Sequence, residues 1–303
     1  MTKTMTNLLL MLITILAGTY FYVNYCSSCG GLAKDDPEPL AAPVSTEAPK
    51  PTSYPFAFGN GGFAYETNDN YNFNQSSYSI LMPLTEKLLS GVDDLKRFLE
   101  NNPGKVATIT GYYTQEEENN SAYPNLGLAR ANAVKNHMVS LGIPSAQLDT
   151  QGELKGEMVA DNGVFLGPIG YTLGDVSADE SAELNALYEK IKANPLVLYF
   201  NTAQASIDLS GEQRQKVADI SRYLDKAADA TVNIVGHTDN TGLATTNMKL
   251  GLDRANFAKS YLMRNGIAED RINTTSKGSN EPLESNATED GRAKNRRTVI
   301  TLN

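Results

Sequence analysis

The side chains best equipped for chemistry lie in the run GHTDNTGLATTNMKLGLDRA, Gly236 to Ala255. Asn247 and Arg254 are spaced by almost two turns of a helix expected from about Ala244 to Asn265, so both leave one face of it. Asp239 stands in the polar, Gly-containing turn just before that helix and reaches the same face. One carboxylate, one guanidinium and one amide thus converge, an arrangement suited to a small zwitterion bearing an ammonium and a carboxylate. Taken singly, each residue has a plainer use. Asp239 caps a helix or closes an Asx turn, Arg254 makes a surface ion pair, His237 bonds to backbone in its turn, and Asn295 to Arg297 form a basic edge strand.

Other chemistries find little support. The chain has two histidines, His137 and His237, and two cysteines in the run CSSC, Cys26 to Cys29. No triad, paired-carboxylate or four-ligand metal pattern emerges, so neither an enzyme nor a cofactor is expected. The cysteines are expected as thiols or as a local or intermolecular disulfide; a thioredoxin-like motif would need a βαβ context. A net charge of −9 argues against a nucleic-acid partner, which requires a basic surface.

The Gly236–Ala255 run resembles the peptidoglycan-binding signature of the OmpA C-terminal (OmpA/MotB/Pal-like) domain, GHTD-x-x-G-(x)4-N-x-x-L-(S)-x-x-RA. Leu198 to Asn201, Ser206 and Leu209 resemble its opening strand and turn. NGIAEDRI at Asn265 to Ile272, Lys277 to Pro282, and GRAKNRR at Gly291 to Arg297 resemble its later motifs, in order. Gly251 departs from the pattern, standing where Ser is usual, which bears on packing more than on ligand contact. The resemblance implies an α+β, two-layer β-α-β-α-β-β domain that binds the peptide stem of peptidoglycan non-covalently, through diaminopimelate. It implies that Asp239 accepts the ammonium, that Arg254 clamps the carboxylate, and that Thr238 and Asn247 add hydrogen bonds. Of the two adjacent arginines, Arg296 is the one implied to face the ligand, since neighbours in a strand point to opposite faces.

The elements that position this site follow from the rest of the chain. Thr231 to Val235 alternates as a strand and delivers the Asp239 turn. Residues 6–25 are apolar and uncharged, long enough at 1.5 Å per residue to cross a bilayer core of roughly 30 Å. With Lys3 ahead and Tyr20, Tyr22 and Tyr25 behind, residues 1–25 are expected to anchor the chain in the inner membrane with its bulk in the periplasm of a Gram-negative envelope. The ranked alternatives are a cleaved signal peptide and a lipoprotein at Cys26, either of which gives an outer-membrane-associated protein. Residues 26–63, rich in proline, are expected as a linker.

The chain is also an internal repeat. Phe73-Asn74 parallels Phe200-Asn201, VATITG at Val106 parallels VNIVG at Val232, and LGLARANA at Leu126 parallels LGLDRANF at Leu250. Two tandem OmpA-like domains are therefore expected, a degenerate one over 64–175 and a peptidoglycan-binding one over 176–303. Alignment puts Thr114 at Asp239, Tyr123 at Asn247 and Gly167 or a neighbour at the closing arginines, keeping only Arg130 opposite Arg254. Glu116 to Glu118 are expected to crowd the mouth of this pocket. The first copy holds 7 basic and 14 acidic residues. It is expected not to bind the same ligand and to serve as a spacer, or as a surface for a homodimer or an envelope partner. The function expected is a tether between membrane and wall. The alternative, a stator-like or secretion-complex component, lacks the intramembrane acid an ion-driven motor needs.

Overall fold

The computed structural model describes residues 3–23, 50–60 and 62–303, in two units, Met1–Ala48 and Pro49–Asn303. The described part of the first unit is a helix, α1 (Lys3–Phe21), continued by a short wider turn at Tyr22 and Val23. Among the described residues no helix is long and apolar enough to cross a membrane. The transmembrane helix expected over 6–25 is not found among the described residues, which take in 6–23 of that span. The CSSC pair and the Pro-rich stretch up to residue 49 lie outside the described residues.

The second unit opens with an antiparallel hairpin, β1 (Phe56–Asn60) and β2 (Phe63–Thr67). This corrects the expected linker, which ran to residue 63. Phe56 and Phe58 are buried, with Phe56 edge-on to Tyr171 at 4.5 Å. Burying two aromatic rings gives this strand ample reason to dock despite the prolines before it. The first copy continues with β3 (Phe73–Asn74), α2 (Glu86–Asn101), β4 (Lys105–Tyr113), α3 (Leu126–Ser140), β5 (Leu148–Leu154), β6 (Val164–Phe165) and β7 (Ile169–Asp175). Its sheet has the order β5-β4-β7, parallel then antiparallel.

Helix α4 (Glu180–Ala193) joins the copies. The second copy is β8 (Leu196–Tyr199), α5 (Gly211–Lys226), β9 (Val232–His237), α6 (Ala244–Arg264), β10 (Ile272–Gly278), α7 (Glu289–Asn295) and β11 (Arg297–Leu302). Its sheet order is β10-β9-β11-β8, with β9 and β10 parallel and β11 antiparallel to both β9 and β8. This is the expected β-α-β-α-β-β path, with the short α7 inserted before the last strand. Local chemistry explains the boundaries. Ser210 and Gln213 form a reciprocal capping box at the start of α5, and Thr288 caps α7. Past α6, Gly266 takes a positive φ that stops the helix.

In both copies helix meets strand through a glycine pair. A Cβ on Gly236 would lie 1.8 Å from the Gly251 carbonyl oxygen, and one on Gly111 would lie 1.9 Å from that of Gly127. Gly251 is thus backbone-to-backbone contact, and a side chain there would meet Ser276 Oγ at 2.3 Å. The same Gly236–Gly251 contact seats α6 over the end of β9, where the candidate site lies.

The copies pack on each other. The Tyr123 hydroxyl donates to the Asn265 carbonyl at 2.7 Å, Arg214 donates to the Asn119 carbonyl at 2.8 Å, and Lys135 pairs with Asp225 at 2.5 Å. Tyr123, Leu126 and Ala129 cluster with Ala218 of α5. Tyr123 therefore does not occupy the place of Asn247, as alignment suggested. Asn247 lies inside α6, whereas Tyr123 precedes α3, which Asn125 caps only afterwards.

Candidate functional site

Asp239 follows directly on β9 and is 6% exposed. Its Oδ1 accepts the Thr241 amide at 3.0 Å, closing an Asx turn, and its Oδ2 accepts Arg296 Nη1 at 3.0 Å. Burial alone would push its carboxyl up. The Thr241 amide and the Arg296 guanidinium outweigh that and hold it below the ordinary carboxylate value. Thr238 Oγ1 and Asn247 Nδ2 both donate to the Asp239 carbonyl, at 2.8 and 3.3 Å. These two therefore fix the backbone of Asp239, and both are buried.

Arg296 is the last residue before β11 and is tied on three sides. Its Nε donates to the Phe200 carbonyl, Nη1 to Asp239 and Nη2 to Glu289 at 3.0 Å. Burial opposes its charge, but the two carboxylates more than compensate and raise its pKa. Arg297 points elsewhere and donates to the Glu281 carbonyl. The Arg296–Glu289 partnership did not figure among the expected contacts. Its trace in the sequence is the Thr288-Glu289 start of α7, two helical turns ahead of Arg296.

Arg254 has no exposed surface. Its Nε donates to the Gln204 carbonyl at 2.9 Å, Nη1 to the His237 carbonyl at 2.9 Å and Nη2 to the Asn201 carbonyl at 3.2 Å. The guanidinium lies 5.1 Å from the Phe200 ring centroid. Burial pulls its pKa down to about 10, with Asp239 opposing, so it is a full cation at neutral pH. A guanidinium has five N–H donors. Three are used here, leaving one on each terminal nitrogen with no partner among the described residues. The turn it binds contains Ala203, a non-glycine residue at φ 60°.

The first copy repeats this network bond for bond. Arg130 donates through Nε to the Ser77 carbonyl, through Nη1 to the Tyr112 carbonyl and through Nη2 to the Asn74 carbonyl, over Phe73. Ser76, at φ 56°, stands where Ala203 does. Thr114 takes the place of Asp239. Strand register, Gly111 to Ile169 and Gly236 to Thr298, puts Gly167 opposite Arg296. The remaining N–H groups of Arg130 are spent on Glu117, through Nη2 at 2.5 Å and Nη1 at 3.1 Å. The expectation that Glu116 to Glu118 crowd the pocket mouth is corrected accordingly. Glu116 and Glu118 are exposed, but the Glu117 side chain is fully buried against Arg130.

The sequence matches the OmpA family over residues 72–164 and 199–296, once in each copy. The chain belongs to the OmpA family. Among curated OmpA-type relatives, the peptidoglycan-binding protein ArfA of Mycobacterium tuberculosis is 37% identical over 130 residues, which is 43% of this chain and 39% of that protein. The peptidoglycan-associated lipoprotein of Buchnera aphidicola is 34% identical over 113 residues, 37% of this chain and 63% of that one. The chain thus spans less than two thirds of the length of either. Among solved structures, the peptidoglycan-associated lipoprotein from Burkholderia pseudomallei aligns with 35% of this chain and 89% of its own, at 23% identity and a TM-score of 0.33.

Proposed function

We propose that this chain is a non-covalent peptidoglycan-binding protein of the cell envelope, gripping the zwitterionic end of diaminopimelate in the stem peptide through its second copy. Asp239 takes the ammonium on the lone pairs left beside Thr241 and Arg296. Arg254 takes the carboxylate with its two unspent N–H groups. Arg296 holds the Asp239 carboxylate in place, and Thr238 and Asn247 hold its backbone. The observation that carries this reading is the first copy's Glu117. There a carboxylate sits on the two N–H groups of Arg130 that in Arg254 have no partner. Because Arg254 is covered, the exposed turn at 201–204 has to shift to admit the ligand.

The names of the OmpA relatives support the wall as target, and the family match over residues 199–296 contains the candidate site. The apolar N-terminal segment fits the role of tether at the membrane, with the wall supplying many copies of the ligand and hence avidity. The test is co-sedimentation of the full chain with purified sacculi. The wild type is expected in the pellet, and free diaminopimelate in excess is expected to release it. Retention in the pellet by Asp239→Asn at wild-type level would sink the proposal.

A further inference from the structure

We propose that the first copy contains a complete carboxylate-binding site of its own, whose resident ligand is the side chain of Glu117. The site is built from four donors. Arg130 Nη2 and Nη1 reach Oε1 and Oε2 at 2.5 and 3.1 Å, the Ser76 amide reaches Oε1 at 2.9 Å, and the Thr114 amide reaches Oε2 at 3.0 Å. Each carboxylate oxygen therefore receives one guanidinium and one backbone donor, a two-sided cradle in which a bidentate Arg supplies the charge. The cradle does not depend on Glu117 for its shape. Arg130 is fixed independently by the Ser77, Tyr112 and Asn74 carbonyls. The positive φ of Ser76 recurs at Ala203, in the turn whose arginine, Arg254, has no carboxylate partner among the described residues. Glu117 arrives on a loop that folds over the cradle, with the Glu118 amide donating to Ser76 Oγ at 3.0 Å.

The site is a receptor for one carboxylate only. Thr114, in the place of Asp239, brings no charge for an ammonium, and Gly167, in the place of Arg296, brings no side chain to hold one. A copy occupied in this way is closed to carboxylates from outside. This inference stands on the bonds of the first copy alone and holds whether or not the second copy binds the wall.

Glu117→Ala removes the atoms of acetate and leaves Arg130 uncompensated, so acetate is the probe. In the full chain, acetate at about five times its dissociation constant is expected to raise the melting temperature of the variant by roughly 2–4 °C. The variant in chloride of equal ionic strength is expected not to respond, and wild type is expected to gain less from acetate than the variant, since only the second copy can take it up. An equal response of wild type and variant to acetate would overturn the proposal. Where Glu117→Ala fails to fold in chloride, recovery of folded protein in acetate becomes the readout, and no gain over chloride overturns it equally. The double variant Glu117→Ala/Arg130→Met, which removes the buried charge, is expected to gain no more from acetate than wild type; a gain equal to that of Glu117→Ala would place the acetate elsewhere and overturn the proposal. With Asp239→Asn added to silence the second copy, diaminopimelate is expected to act on Glu117→Ala no better than acetate. A tenfold advantage for diaminopimelate would refute a site for carboxylate alone.

Discussion

Asp239→Asn is the perturbation that separates a ligand contact from a turn-former, because the amide nearly preserves shape while removing charge. In the free protein the Asp239 carboxylate spends one lone pair per oxygen, on the Thr241 amide and on Arg296, both at 3.0 Å. Each oxygen offers a second, so two acceptor positions remain for an incoming ammonium. A hydrogen bond to a charged partner contributes about 1.5–3 kcal/mol, and each 1.4 kcal/mol is a factor of ten in affinity, so loss of one such bond weakens binding about 10- to 150-fold. The fold should suffer less. Asn still offers an oxygen to either Thr241 or Arg296, and Arg296 keeps Glu289, so we expect a destabilisation of about 1–2 kcal/mol.

The assay is isothermal titration of the full chain with diaminopimelate at neutral pH, with a thermal melt of the same samples. Wild type and variant should melt as folded proteins while their dissociation constants differ by at least tenfold. If the two bind within about threefold of each other, Asp239 merely closes its Asx turn, and the zwitterion argument fails with it. The depressed pKa of Asp239 adds a pH arm. Its carboxylate stays ionised down through the usual carboxylate range, so ligand binding should persist to below the ordinary value of 3.8, and weaken only where the carboxyl at last protonates.

Arg254→Met leaves the buried His237 carbonyl and the part-buried Gln204 and Asn201 carbonyls without their donor and should cost about 3–5 kcal/mol, measured by urea unfolding. Tyr123→Phe removes the hydroxyl that donates to the Asn265 carbonyl across the seam between copies, a loss of about 1–3 kcal/mol by the same measure. His237, held neutral to about 4 by burial and then by Arg297, takes up no proton in the folded state where the unfolded chain protonates near 6.5. Stability should therefore fall as pH drops from about 6.5 to about 4, and His237→Gln should flatten that slope in denaturant titrations at pH 7 and pH 5. Gly236→Ala sets a methyl 1.8 Å from the Gly251 carbonyl oxygen, and should lower the melting temperature sharply or abolish folding, whereas the exposed Gly211, with open space around its Cβ position, should accept Ala.

Much of the architecture was legible because the repeat is written in local patterns. LGLARANA and LGLDRANF mark equivalent helices, VATITG and VNIVG mark equivalent strands, and the seven-residue step from Asn247 to Arg254 set both on the α6 face. The N-terminal hairpin was missed although Phe56 and Phe58 alternate ahead of Asn60-Gly61-Gly62, a hairpin signal. The prolines before it point to a linker instead, and part of what places Phe56, its contact with Tyr171, lies far along the chain. Arg296 itself is implied by the family resemblance, but its bonds to Asp239 and Glu289 are not legible in the sequence. Arg296 reaches Asp239 across a sequence separation of 57 residues, and no spacing rule of one helix or strand carries that far.

Glu117 shows why a degenerate motif is a poor guide to an empty pocket. Counting residues against the second copy registers the loss of Asp239's equivalent and leaves Arg130 looking stranded. Buried and unpaired, that guanidinium would cost several kcal/mol, so its persistence at zero exposure already demands a counter-charge. The run Glu116 to Glu118, on the loop after β4, offers carboxylates close in sequence to that pocket. The middle one is chosen because a pocket at the end of β4 admits one side chain from the loop while its neighbours turn to solvent. The same reasoning runs in reverse for the second copy. Arg254 is as deeply buried, has Asp239 near it but engaged with Arg296, and donates its last two N–H groups to no carboxylate among the described residues. In the proposed function that cation takes the ligand's carboxylate, and the acetate response of Glu117→Ala measures, in the first copy, how strongly such a cradle draws one.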